Sequence, residues 1–308
     1  MARRRQTQQG LLWLGLLMPL ILYGASVLGR PSRESIAPRP LFQGIVYSRQ
    51  IKNRPRPQII HIVDIDLLAP GLTPFVTPGY DGTAFDPIEL KIWETVAQRT
   101  SEFIDAEEVQ LAINANFFYP FREVALWNYR PRSGQPGNLV GLAISNGETL
   151  SVGDSNWSSL CFIKQQAMIN SDGTCPQDTQ QAVAGRIVLL ENGQPTETVQ
   201  QQIIDEKSKP YPFTVAALNA DGTRLWLVLV DGKQPLYSEG LTLEEVTTLV
   251  QHLGADTALQ LDGGGSTTLA IAAAPKPQVL NVPIHAKIPG QERPVANNLG
   301  FFAQPLAP

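Results

Sequence analysis

Histidine and cysteine are scarce in this chain, with three of the first and two of the second among 308 residues. That scarcity closes off much nucleophilic and metal chemistry. His61 falls within a strand pattern, His252 near the end of a helical pattern, and His285 between prolines near the C-terminus. None stands beside a Gly-x-Ser-x-Gly elbow, and no His-rich metal motif exists. Cys161 and Cys175 have no neighbouring His or further Cys to complete a zinc set. In an oxidising compartment they read as a disulfide, ahead of two free thiols, closing a loop of about 15 residues and worth on the order of 3 kcal/mol in the chain-entropy picture. Charge is also sparse: 17% of residues are ionisable Asp, Glu, Lys or Arg, and the formal net charge is -4. Beyond the first few residues the Lys and Arg are scattered and form no basic stripe, which argues against a nucleic-acid partner. The glycine runs lack both the Gly-Lys-Ser/Thr ending of a nucleotide loop and the spaced glycines of a dinucleotide fingerprint. No repeat at a solenoid period is visible.

What is present begins with Arg3, Arg4 and Arg5 ahead of an uncharged apolar run from Leu11 to Leu28. Roughly 18 apolar residues led by basic ones form a targeting segment, either a secretory signal or a membrane anchor. Either way the remainder is expected to be extracytoplasmic, periplasmic or secreted. Residues 1–30 are therefore assigned to that segment, 31–57 to a proline-rich tether and 58–305 to one domain. With 43% hydrophobic residues, that domain can bury a sizeable core.

The periodicity predicts α+β architecture: a strand-rich single domain with mixed or antiparallel sheets and few helices. From Gln58 to Leu68, Ile59, His61, Val63, Ile65 and Leu67 share one face of a strand, while Ile60, Ile62, Asp64 and Asp66 share the other. Asp86 as cap, Pro87 as first residue and Glu89 three positions on predict a helix running to about Arg99. Val109 to Ile113 reads as a short buried strand. Asn146-Gly147, Asn192-Gly193 and Asp221-Gly222 sit at turns between extended runs. Thr242 and Glu245 form a capping box for a helix whose apolar face is Leu243, Val246, Leu249, Val250 and Leu253, and Gly254 stops it. A buried strand from Thr257 to Leu261 then delivers Asp262-Gly263-Gly264-Gly265-Ser266-Thr267-Thr268.

That run is the most chemically suggestive segment. Glycines without side chains let backbone amides converge on an anion, and the hydroxyls add donors. The other reading is a tight turn that needs small residues. Asn114 and Asn116, ahead of Phe117, Phe118 and Tyr119, offer amides and aromatic faces to a sugar, or simply cap a turn and fill a core. With histidines set aside, acid-base work falls to carboxylates, of which Asp262, Asp231 and Glu239 are nearest.

In order and spacing these segments resemble the phosphodiester glycosidase family over about Gln58 to Ala303. The resemblance rests on Asn114 to Phe117, Gly141 to Gly147, Val183-Ala184-Gly185, Val230-Asp231-Gly232, Gly240-Leu241-Thr242, Leu253-Gly254-Ala255, the Asp262 to Thr268 run, and Arg293 to Asn298. It implies hydrolysis of the bond between a sugar's anomeric carbon and a phosphodiester oxygen, in envelope or exopolysaccharide glycans. Carried over by motif, Asp262 is the catalytic or substrate-orienting carboxylate. Gly263, Gly264 and Gly265 cradle phosphate, Ser266 and Thr267 bond it, Asn114 and Asn116 meet the sugar, and Arg293 neutralises the phosphate. Phe213 stands where the family commonly has an arginine, and Arg186 brings a positive charge where a second glycine is usual. The resemblance implies no required cofactor. Two other readings stand beside the hydrolase: a non-catalytic glycan-binding protein, motivated by Phe213, and a metal-assisted phosphodiesterase with a divalent cation on Asp231 and Asp262.

Overall fold

The structure, a computed structural model, describes residues 23–86, 91–125, 128–205 and 209–306. Alternation in the strand Gln58–Asp66 sets its architecture. Val63 and Ile65 enter one core while Ile60 and Ile62 enter another, because successive side chains leave a strand on opposite faces. Buried on both sides, this strand sits inside an eight-stranded antiparallel sheet, between Ile45–Lys52 and Arg224–Asp231. Beyond Arg224–Asp231 the sheet continues through Thr214–Leu218, Thr257–Gln260 and Ile187–Glu191.

One face of this sheet packs on two five-stranded sheets. The first contributes Leu111, Ile113, Leu269 and Leu299 to the shared core, and the second contributes Leu160, Phe162 and Val183. The other face is covered by the helices Leu243–His252, through Val246 and Val250, and Glu197–Asp205, through Val199. Strands hold 43% of residues and helices 13%, so the chain is α+β, as expected from the sequence. A disulfide joins Cys161, in the strand Ser158–Ile163 of the second five-stranded sheet, to Cys175 in the loop after Gln166–Asn170.

The Leu243–His252 helix follows its sequence signals closely. Thr242 Oγ1 accepts from the Glu245 amide at 3.1 Å, and the Glu245 carboxylate accepts from the Thr242 amide at 2.8 Å. At the turns, Asn146-Gly147 and Asn192-Gly193 place both residues at positive φ, the conformation that a two-residue hairpin requires.

Two expectations are corrected. The helix from Asp86 to about Arg99 does not form where the chain is described: Phe85–Asp86 pairs with Lys91–Ile92, and Thr95–Val96 is a strand. Pro87 and Glu89 lie outside the described residues. Thr95 is instead pinned by its hydroxyl to the Ala296 carbonyl at 2.7 Å, and tertiary pairing of β-branched residues prevails over a local capping pattern. The helix comes later, at Thr100–Glu107, with the Glu102 carboxylate accepting from the Arg99 amide at 2.8 Å.

The second correction concerns the tether. Ile36–Phe42 and Ile45–Lys52 form a hairpin on the eight-stranded sheet, with Ile45 and Tyr47 fully buried. Pro38 and Pro40 lie on the outermost strand, where proline's missing N–H withdraws nothing from the ladder. The arginine cluster and most of the Leu11–Leu28 run lie outside the described residues. Residues 23–28 are helical, and among the described residues no helix is long and apolar enough to cross a membrane.

Candidate active site

The glycine run carries the chain from one sheet to the next. Thr257–Gln260 belongs to the eight-stranded sheet, Leu269–Ile271 to the five-stranded sheet beside Leu111–Asn114, and a short helical turn at Gly264–Ser266 lies between them. Each glycine answers a close approach. A Cβ on Gly263 would stand 2.8 Å from the Pro212 carbonyl, one on Gly264, at φ +64, 2.6 Å from the Tyr211 hydroxyl, and one on Gly265 would strike the Arg293 guanidinium. The amides themselves are occupied: Gly263 N donates to Asp262 Oδ1 at 2.8 Å and Gly264 N to Pro212 O at 3.0 Å. In this conformation Gly263 and Gly264 are not an anion cradle. They are spacers that let Tyr211, Pro212 and Arg293 close around Asp262.

Asp262 is 9% exposed. Burial pushes its carboxyl up to about 6, against the lowering effects of a Ser266 hydrogen bond, the Arg293 charge, the Gly263 amide and Lys233. Ser266 Oγ also accepts from Arg293 Nη1 at 3.2 Å, and Arg293 Nη2 donates to Glu123 Oε2 at 2.6 Å. One guanidinium therefore joins two carboxylates, one through a hydroxyl and one directly. Aromatic rings hold it, with Phe121 4.9 Å and Tyr129 5.9 Å from Cζ to the ring centroids. Burial acts to raise Glu123, but Arg293 and a hydrogen bond from the Ala286 amide outweigh it and hold the carboxyl below its usual range. Burial, with the Arg293 charge, pushes His285 down to about 4, so at neutral pH it is an uncharged imidazole packed edge-on against Tyr129.

Two cavities flank the glycine run. One of about 370 Å³ has Asp262 and Gly263 in its wall, with Phe117, Tyr211 and Phe213 as aromatic surfaces and Arg186 and Lys209 as cations. The other, about 580 Å³, is walled by Gly265, Arg293, Glu123, Lys233 and Lys287. Tyr211 and Lys233 stand between the two, the ammonium 4.2 Å from the ring centroid. Phe213 and Arg186, the two departures from the resemblance, thus share one cavity, so a cation remains available where the aromatic residue stands. Glu123, Lys233, Tyr211 and Lys209 were not singled out from the sequence. Only the proximity of Lys233 to Asp231-Gly232 offered a signal.

The remaining expected site residues are built into the framework. Asn114 Nδ2 donates to the Asp262 carbonyl at 2.5 Å, while its Oδ1 accepts from Thr214 Oγ1 at 2.9 Å and the Thr268 amide at 3.1 Å. Asn116 donates to Val140 and Leu142 carbonyls and accepts from the Ala184 amide and Asn297. Both are fully buried, so they fasten the loop and do not reach a sugar. Thr267 is likewise buried, its carbonyl taken by Asn281 Nδ2 at 3.0 Å. Asp231 accepts from Asn281 Nδ2 and the Val282 amide and lies 3.3 Å from His61 Nε2. Saturated and 2% exposed, it ties the segment after Leu269–Ile271 to the eight-stranded sheet. Glu239 is in neither cavity wall, and its backbone bridges Pro57 and Lys233. Among the described residues no three His, Cys, Asp or Glu gather as a metal site. With Asp231 committed to protein donors, the pair Asp231 and Asp262 does not fit a divalent cation.

Three solved structures share the fold. The chain superimposes on a hypothetical protein from Synechocystis with a TM-score of 0.58 at 14% identity, over 86% of this chain and 64% of that one. It matches the zebrafish N-acetylglucosamine-1-phosphodiester α-N-acetylglucosaminidase catalytic domain, auto-inhibited by its pro-peptide, with a TM-score of 0.56 at 17% identity over 88% and 87% of the two chains. A Burkholderia pseudomallei protein described as exported gives 0.54 at 14% identity over 80% and 74%. No curated protein matches the sequence significantly. The phosphodiester glycosidase profile matches residues 107–302, which include the glycine run, Glu123 and Arg293, and the chain belongs to the phosphodiester glycosidase family.

Proposed function

We propose that the protein is an exported hydrolase that cleaves the bond between a sugar's anomeric carbon and a phosphodiester oxygen in envelope or extracellular glycans. The observation that supports this most is Asp262: a carboxyl raised to about 6 in the wall of one cavity and linked through Ser266 to Arg293 in the wall of the next. A departing phosphate ester is weakly basic and needs cations more than a proton, which Arg293 and Lys233 supply. The incoming water needs a base. A carboxyl with a raised pKa is a stronger base than an ordinary aspartate and is still ionised at neutral pH. In the step proposed, the water oxygen bonds to the anomeric carbon and Asp262 takes its proton. The bond from that carbon to the phosphodiester oxygen breaks, and its electrons leave with the phosphate ester beside Arg293. The aromatic walls of the 370 Å³ cavity suit a sugar ring.

The arginine-led apolar N-terminus supports export to the periplasm or beyond, with residues 11–28 as signal or anchor. The reading is tested by incubating the full-length chain with nucleotide-sugars and synthetic sugar-1-phosphodiesters and measuring free sugar. Turnover by the native protein that is abolished by Asp262→Asn is expected. A folded protein that releases no sugar from any of them sinks the proposal. Phe213 in the cavity wall favours one other reading, a glycan-binding protein without catalysis. Binding that survives Asp262→Asn, with no product from either protein, identifies it.

A further inference from the structure

The 580 Å³ cavity has an unusual rim. Tyr23, in the helical stretch 23–28, lines it together with Lys233 and Lys287, so the chain enters the described structure at the mouth of the cavity. The 22 residues before it include Leu11 to Leu22, the first part of the uncharged apolar run that ends at Leu28. After the helical stretch, Arg30 lies over the Tyr237 ring at 4.4 Å, and the Tyr237 hydroxyl donates to the Pro31 carbonyl at 3.0 Å. These contacts fasten the N-terminal segment to the loop 233–237. That loop holds Leu236 at φ +63 with 87% of its surface exposed, and Leu28 is equally bare. A bulky residue in the left-handed region is strained, and an exposed leucine there gains nothing from the protein's own core.

Exposed Tyr23, Leu28 and Leu236 and the cations Lys233, Lys287 and Arg30 belong to the cavity rim and to the two segments that the Arg30–Tyr237 contact joins, the mixture found at a bilayer interface. Apolar tips enter the headgroup region, and cations meet lipid phosphates. We infer that this face rests on the membrane into which the N-terminal run inserts, and that the cavity takes its phosphodiester from a lipid-borne sugar whose apolar chain stays in the bilayer. The substrate half of the inference rests on the proposed hydrolase activity, and the docking half does not.

Because Cys161 and Cys175 are disulfide-bonded, Leu236→Cys gives the full-length chain a single thiol for an environment-sensitive fluorophore. Val152→Cys, at a comparably exposed position with 80% of its surface open, serves as control. In vesicles of phosphatidylcholine and phosphatidylglycerol, the label at 236 is expected to emit to the blue and to be quenched by spin-labelled lipid, while the label at 152 does neither. A label at 236 as aqueous as that at 152 overturns the docking. For the substrate, the ratio of turnover on a lipid-borne sugar-1-phosphodiester to turnover on its water-soluble head is expected to fall about tenfold in Leu236→Asp, the loss expected on withdrawing one leucine from an apolar phase. An unchanged ratio overturns the lipid-borne substrate. Absence of turnover on both removes the hydrolase reading and the substrate with it, and the fluorophore still decides whether the face docks.

Discussion

Replacing Asp262 by Asn should abolish activity and yet stabilise the protein at neutral pH, by an amount the structure sets. The carboxyl is raised from 3.8 to about 6 by burial. At about 1.4 kcal/mol per unit, ionising it in the folded protein costs about 3 kcal/mol. The folded state holds this proton more tightly than the unfolded chain, so stability contributed by Asp262 falls as pH rises from about 4 to about 6 and stays low above that. His285, lowered from 6.5 to about 4, has the opposite slope: its folded form binds fewer protons, so stability rises with pH across nearly the same window. The two obscure each other in the native protein, and the difference between variant and native cancels the histidine. Urea unfolding, followed by circular dichroism with the disulfide intact, should show that Asp262→Asn gains little at pH 4. Its advantage should grow to about 3 kcal/mol at pH 8. An advantage that is constant with pH, or that shrinks as pH rises, refutes the claim that burial dominates this carboxyl. The same shift predicts that kcat/KM rises through an acid limb near pH 6 and then levels, as required of a base that must be ionised to act.

Arg293→Lys removes one of two bonded nitrogens from a guanidinium that reaches both Ser266 and Glu123; kcat/KM should fall at least tenfold, about 1.5–3 kcal/mol, and near-native rates would show that only charge matters. Asn114→Ala leaves the Asp262 carbonyl, Thr214 hydroxyl and Thr268 amide without their partner. A loss of about 3 kcal/mol in urea unfolding is expected, whereas a raised KM at unchanged stability would restore Asn114 to a sugar contact. Arg186→Gln, in the cavity beside Phe213, should raise KM roughly tenfold while leaving kcat nearly unchanged, and an unaltered KM removes Arg186 from substrate binding. Cys161→Ala with Cys175→Ala should lower stability by about 3 kcal/mol, measured by the same unfolding, and no change would mean that the 14-residue separation constrains little in the unfolded chain.

Legibility in the sequence followed the range over which each signal acts. The Thr242 and Glu245 box, the Asn-Gly turns and the two-faced strand at Gln58–Asp66 are specified within a few residues, and each formed where expected. The helix expected after Asp86 was equally local in its signals, but its neighbourhood is decided by pairing with residues some 40 and 200 positions away, through Gly137 and Ala296, which no local window contains. The hairpin at Ile36–Lys52 was hidden for a related reason: prolines that read as a tether are compatible with an outermost strand, and outermost is a property of the whole sheet.

The site shows the same limit from the chemical side. Three successive glycines read either as an anion cradle or as a tight turn that needs small residues. Sequence does not say whether the close neighbour is a ligand or the protein itself. Here the close neighbours are the Pro212 carbonyl, the Tyr211 hydroxyl and the Arg293 guanidinium, all drawn from segments distant in the chain. Glycine in the run therefore acts by admitting the groups that bury and polarise Asp262, with the Gly263 amide turned onto that same carboxylate. Gly265→Ala separates the two roles. An amide cradle tolerates alanine where φ allows it, whereas a Cβ at this position displaces a guanidinium already confined between Phe121 and Tyr129. If the spacer role is the right one, Gly265→Ala should also move the acid limb of kcat/KM upward, because Asp262 keeps its burial and loses the nearby cation that lowers it.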